Sequence, residues 1–222
     1  MANTLNNPSQ GFQIFGNAEG ASPQAGMTPI WIASTDASLI FRGDAVITST
    51  TGGTNNSGPY ITSATSGISQ IRGVFQGCYQ FSPAAGRVVW TNFYGGSVTG
   101  STGDIKAYII DYPDAQFIAQ GSTSGAITSS MIGSNIGMSI TSSLGNQATG
   151  YSNATLLSST VATTNTLPFR LVDFYSAYAP PGVPNVGTAA FINGTDNTNA
   201  ANIVVVRFNN CDRLQLTAKS AI

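Results

Sequence analysis

The sequence predicts an all-β protein: an antiparallel β-barrel or β-sandwich with long loops, at most one short helix and an extended N-terminal arm. Three observations carry this. Isoleucine and valine together number 31 against 9 leucines, and β-branched side chains favour pleated, half-buried surfaces over helices, where they lose rotamer freedom. Apolar stretches of strand length follow one another with turn residues between them, and no helix of the length that a parallel α/β fold needs intervenes. Ser, Thr, Asn and Gln supply 78 of 222 residues, while charged residues make up 8%, about a third of the usual share. Leu, Ile, Val and Phe number 51 at a net charge of −1, more apolar and less charged than disordered chains. The chain is therefore divided into an arm, residues 1–29, and a single β-domain, residues 30–222.

The elements are read in chain order. The first 29 residues carry Asn, Gln, Gly and Pro with scattered apolar residues, Leu5, Phe12, Ile14 and Phe15, and no sustained periodicity. Strands begin with PIWIAS (29–34) and SLIFRGDAVIT (38–48). The Gly, Asn and Ser of 48–60 form a long exposed loop. Four strands follow in quick succession: SGISQIRGVFQGCYQF (66–81), RVVWTNFY (87–94), DIKAYIID (104–111) and AQFIAQG (115–121). Pro83 to Gly86 turn the first of these into the second, and Tyr112-Pro113-Asp114 turn the third into the fourth. The stretch 126–140 is the one place for a short helix, ending near Gly133 or Gly137, with Ile127, Met131 and Ile132 spaced for one face. After a polar span from Thr141 to Thr166 come the strand TLPFRLVDFYS (166–176), a loop with Pro180, Pro181 and Pro184, and NIVVVRFN (202–209), both of whose faces read as buried.

Gly73 and Gly77 fall on the same side of a regular strand. On that side another backbone or a bulky ring, such as Trp90 or Phe93, has room to approach.

Composition also bounds the chemistry. Histidine is absent, which removes the commonest general base and metal ligand. The only glutamate is Glu19; Asp111 and Asp114 flank a turn, and read as turn formers in water more readily than as a glycosidase pair. Arg42-Gly43-Asp44 lies inside a strand-like run, which favours a bulge or strand end over an adhesive loop. Cys78 and Cys211 lack zinc-site spacing; their separation neither supports nor excludes a disulfide, and they read first as reduced, buried thiols. Three glycosylation sequons, at Asn55, Asn153 and Asn193, are the matches expected by chance in so Asn- and Thr-rich a chain. Trp31, Trp90, Phe93 and Tyr94 are candidates for stacking on a sugar ring, or for core and interface positions. No catalytic residue, cofactor or metal is expected, so the chain is not read as an enzyme. The weak charge argues against nucleic acid and anionic membranes as partners and for protein. The first residues lack the pattern of a signal peptide, so synthesis in the cytoplasm without export is expected.

IRGVFQGCYQF (71–81), the aromatic segment after it, AYIIDYPDAQFIAQ (107–120) and LPFRLVDFY (167–175) together resemble the capsid decoration, or cement, proteins of tailed bacteriophages. The likeness covers roughly residues 40–175 and departs from the family pattern at Tyr112, Gln116 and Ile118, where Asp, Val and Glu would stand. The resemblance implies a virion structural protein on the capsid's outer surface, bridging subunits of the major capsid protein and neighbouring copies of itself as a homo-oligomer. It also implies an attachment arm, for which Phe12, Ile14 and Phe15 are the candidate anchors. The alternative is a head or tail fibre module that binds host carbohydrate, which an exposed aromatic platform near Trp31 or Trp90 would favour.

Overall fold

The computed structural model describes residues 10–17, 26–50, 52–53, 58–96, 103–140, 145–175, 191–192, 195–196 and 200–214. In chain order the strands are β1 (Gln13–Asn17), β2 (Thr28–Ile32), β3 (Ile40–Phe41), β4 (Ala45–Ser49), β5 (Tyr60–Ser63), β6 (Gly73–Ser82), β7 (Arg87–Thr91), β8 (Phe93–Tyr94), β9 (Ile105–Ile110), β10 (Ala115–Gln120), β11 (Asn135–Ser139), β12 (Thr155–Ala162), β13 (Phe169–Phe174), β14 (Phe191–Ile192), β15 (Thr195–Asp196) and β16 (Ile203–Phe208). The fold is all-β, as the sequence predicts.

Five strands close into a barrel. The order is β4-β5-β2-β9-β6, and β4 pairs with both β5 and β6, which completes the ring. All its pairings are antiparallel except β2 with β5, where Trp31 meets Tyr60 in parallel register. Alternation fills the interior: Ile30 and Ile32 of β2, Ile105, Ala107 and Ile109 of β9, Val46, Ile61, Phe75 and Cys78 form one buried cluster. The intervening Lys106 and Tyr108 face outward, as period two requires.

The other sheet runs β1-β10-β16-β13-β11-β12, antiparallel throughout. It curls until β12 returns to the end of β10, where Gly121 bridges Leu156 and the Ser122 N–H donates to the Leu156 carbonyl at 2.7 Å. Phenylalanines fill it. Phe12 stacks on Phe169 with ring centroids 4.3 Å apart, and Phe208 meets both Phe169 at 5.9 Å and Phe117 at 5.0 Å. The same buried cluster takes in Ala45, Val74 and Ile110 from the barrel, and Ile71 just before β6. Adjacent residues thus serve different cores: Ile109 points into the barrel and Ile110 into the space between barrel and sheet.

Two expectations are corrected, and the one short helix allowed in 126–140 is present as a single 3-10 turn. Residues 10–17 are no free arm: β1 pairs with β10, and Phe12 is fully buried. Its ring has no reason to stay in water when Phe169 offers a stacking partner, since burying such a side chain is worth about 1.5–3 kcal/mol. Residues 1–9 and 18–25 of the expected arm lie outside the described residues, as does the loop at Pro180, Pro181 and Pro184. The stretch 126–140 holds only one 3-10 turn, Ser129–Met131, followed by β11. The span 141–166, read as polar, contains the eight-residue strand β12, whose Leu156 faces the core while Ser and Thr face out.

Candidate docking face

The most exposed apolar surface stands on the β6–β7 hairpin. Register explains how it arises. β6 follows β9 from Val74 opposite Ile110 to Tyr79 opposite Lys106, and the register shifts between Phe75 and Gly77. This bulge at Gln76 reverses the alternation, so that Phe75 and Cys78, three residues apart, both enter the barrel. Gly73 therefore faces inward and Gly77 outward, and the two glycines do not share a face as a regular strand would have them. Each is hemmed in by different neighbours. A Cβ on Gly73 would lie 2.6 Å from the Ile110 carbonyl oxygen. Gly77 has φ +149°, and a Cβ there would overlap Trp90 Cζ2 and lie 2.8 Å from the Thr91 carbonyl oxygen. Trp90 lies in the space that the missing side chain leaves.

Beyond Tyr79, β6 pairs only with β7, through Gln80–Val89, Phe81–Val88 and Ser82–Arg87. The turn closes with the Gly86 N–H donating to the Ser82 carbonyl at 2.9 Å, Gly86 having the left-handed φ of +63°. The reversed parity points Tyr79, Val88 and Trp90 outward, and they are 45%, 61% and 40% exposed. Tyr79, Trp90 and Tyr108 form a ring cluster with centroids 5.2, 5.5 and 5.9 Å apart. Lys106 Nζ lies 5.9 Å from the Tyr108 ring. Register lines up Trp31, Lys106, Tyr79 and Trp90 as direct neighbours across β2, β9, β6 and β7. At about 4.8 Å per strand the row spans roughly 14 Å.

The other candidates scatter. Of the proposed anchors, Phe12 is in the core, Ile14 is half-buried beside it, and Phe15 is 46% exposed with its ring edge-on to Tyr175 at 5.8 Å. Phe12 is therefore unavailable to any partner while this fold persists. Tyr94 is fully buried, its hydroxyl donating to the Asp36 carbonyl at 2.7 Å, and Phe93 stacks on Phe41. Cys78 and Cys211 are free thiols in separate core clusters, and burial pushes Cys78 up to about 11 and Cys211 upward as well. Asn153 is exposed; Asn55 and Asn193 lie outside the described residues.

Two aspartates are buried. Asp44, expected near a bulge or strand end, is 3% exposed in the turn between β3 and β4. It accepts the Phe41 N–H at 2.7 Å and the Ser152 hydroxyl. Desolvation dominates over these bonds and lifts its carboxyl to about 6. Such a site cannot serve as an adhesive loop. Asp111 is no turn former in water. It is fully buried, held by Arg72 at 3.1 Å, Arg213 at 3.0 Å and the Thr28 hydroxyl at 2.7 Å. A carboxylate so fully engaged is a structural tie.

The hairpin combines apolar area with aromatic faces on a chain that has few charges. Among the described residues no group of three or more Cys, Asp or Glu side chains could hold a metal ion, and no helix is long and apolar enough to cross a membrane. Sequence reading singled out Trp90 but missed Tyr79, Val88 and Tyr108. Outward positions 79 and 81 against 88 and 90 were recoverable from the Pro-Ala-Ala-Gly turn; the parity reversal at Gln76 was not. No family model, curated protein or solved structure matches the chain.

Proposed function

We propose that the protein is a structural virion component that decorates and stabilises the outer surface of a tailed-phage capsid by docking on major capsid protein subunits. One observation carries the reading: Tyr79, Val88 and Trp90, exposed together on the hairpin that β6 and β7 form at the edge of the barrel, on a chain with few charges. A cluster of this kind is what a protein interface buries at its centre. β7 is also an edge strand, open to pairing with another chain. The resemblance to cement proteins, which spans this same hairpin, supports the same assignment. Many weak contacts repeated over a symmetric shell would offset the small area each one buries.

The test is to mix the protein with capsids of its phage assembled without it, sediment them and count bound copies. Saturation at a number set by the lattice is expected, together with greater resistance of the shell to heat. Protein that remains in the supernatant at all concentrations would refute the assignment.

The ring cluster also favours a second reading, a carbohydrate-binding head or tail fibre module. Sugar rings pack on aromatic faces, and Trp31, Tyr79 and Trp90 lie in one row. Glycan binding that Trp90→Ala abolishes, without any capsid binding, would select it.

A further inference from the structure

The opposite side of the molecule carries a different kind of row. On the outer face of the phenylalanine-filled sheet, Arg207 of β16 lies directly opposite Arg170 of β13. Gln116 of β10 flanks Arg207, and Asn135 of β11 flanks Arg170. Like charges directly opposite each other on a sheet repel. The chain holds eight lysines and arginines in all, so placing two of them side by side is costly against a small stock. Among the described residues neither makes an ion pair; the salt bridges present are those of Arg72 and Arg213.

Both arginines line a shallow pocket of about 310 Å³ with Pro113, Asp114, Asn209 and Leu214. Asp114 sits in the turn between β9 and β10 and is the one carboxylate of this lining. Two guanidiniums and one carboxylate leave a local surplus of one positive charge.

The interior shows what two arginines of this chain do with a carboxylate. Arg72 and Arg213 close on Asp111 from two directions, with the Thr28 hydroxyl as a third donor. Arg170 and Arg207 supply the same pair of forks at the surface, with the Gln116 amide beside Arg207 in place of the hydroxyl. We propose that Arg170 and Arg207 form a binding site for a carboxylate side chain presented by a partner protein. A singly charged carboxylate matches the surplus. A phosphate, with up to two charges, would meet repulsion from Asp114. The planar fork of each guanidinium suits a carboxylate in two-point contact. The site lies on the outer face of the sheet, which an extended partner segment can follow from Gln116 to Arg170; Asn135 beyond it is buried and donates to the Thr164 carbonyl at 2.7 Å.

The test uses the full chain and the guanidinium N–H signals in ¹H–¹⁵N spectra at low salt. The probes are a blocked peptide containing one glutamate, its glutamine counterpart and inorganic phosphate. The glutamate peptide should shift the Arg170 and Arg207 Nε–H signals saturably, and the glutamine peptide should not. Arg207→Gln should weaken binding at least about fivefold, and Arg170→Lys, which keeps the charge and loses the fork, should weaken it severalfold. Asp114→Asn should tighten it. In the free protein, Arg207→Gln should raise Tm by roughly 1–3 °C through relief of repulsion. The proposal falls if the glutamate peptide produces no saturable shift, if phosphate alone does, or if Arg207→Gln binds as the native chain does. A clear drop in Tm for Arg207→Gln would also overturn it, by assigning that guanidinium to the fold.

Discussion

The closed barrel and the curled sheet beside it solve the same problem with different residues. The barrel is filled mainly by isoleucine, with Phe75, Cys78 and Tyr94 among it, on an alternation that one bulge resets, and its outer face carries rings. The sheet is filled by phenylalanines, and its outer face carries amides and arginines. Closing a ring of five short strands leaves a narrow interior, which compact β-branched side chains fill; a sheet that curls without fully closing leaves a wider gap that needs aromatic volume. Yet the two do not stand apart, because Ala45, Val74 and Ile110 of barrel strands belong to the sheet's core.

The strongest way to break this comparison is Phe12→Ala. It removes a fully buried ring stacked on Phe169 and should cost about 3–5 kcal/mol. Because the cores are shared, a single unfolding transition in urea should move as a whole. A barrel transition left in place while a separate sheet transition shifts would show two independent bodies.

Gly77→Val probes the barrel alone. It places a β-branched side chain at φ +149° against Trp90 and the Thr91 carbonyl, and a loss of about 3 kcal/mol is expected. A neutral result would mean that Trp90 swings away without cost.

Asp44 sits where the two halves touch, bonded to Ser152 on the approach to β12. Its carboxyl is raised by burial to about 6 from an ordinary 3.8, so the folded state holds the proton more tightly than the unfolded one. That contribution is full below about pH 4 and is lost as pH rises through 6. Asp44→Asn, which stays neutral and can keep both bonds, should flatten a pH dependence worth up to about 2–3 kcal/mol. Urea midpoints at pH 4.5 and pH 7 check this; an unchanged slope would place the titration elsewhere.

The smallest effect on stability and the largest on binding belong to the hairpin. Val88→Asp should change stability by less than about 1 kcal/mol, since that side chain is 61% exposed, and should abolish sedimentation with capsids. Retained binding would move the docking face off the barrel.

The difference between the halves also explains what the sequence made legible. In the barrel, Ile30, Ile32, Ile105, Ala107 and Ile109 advertise their strands by alternation, and the turn at 83–86 by its proline and glycine. In the sheet, β12 reads Thr-Leu-Leu-Ser-Ser-Thr-Val-Ala, whose half-polar faces match a loop as well as a strand. β1 has only a handful of apolar residues and is a strand because β10 is there to pair with it. The docking face was half legible. Aromatics marked the hairpin, but which of them turn outward depends on one irregular residue. The arginine row was invisible, because residues 170 and 207 meet only through tertiary pairing.

The bulge at Gln76 makes surface identity a matter of counting. Straighten it with every residue kept and the strand beyond would spell the same letters with its two sides exchanged: Tyr79 would enter the barrel and Cys78 would meet solvent. A thiol-reactive dye would then label a protein it otherwise spares, and the hairpin would present its lining to the world in place of its rings.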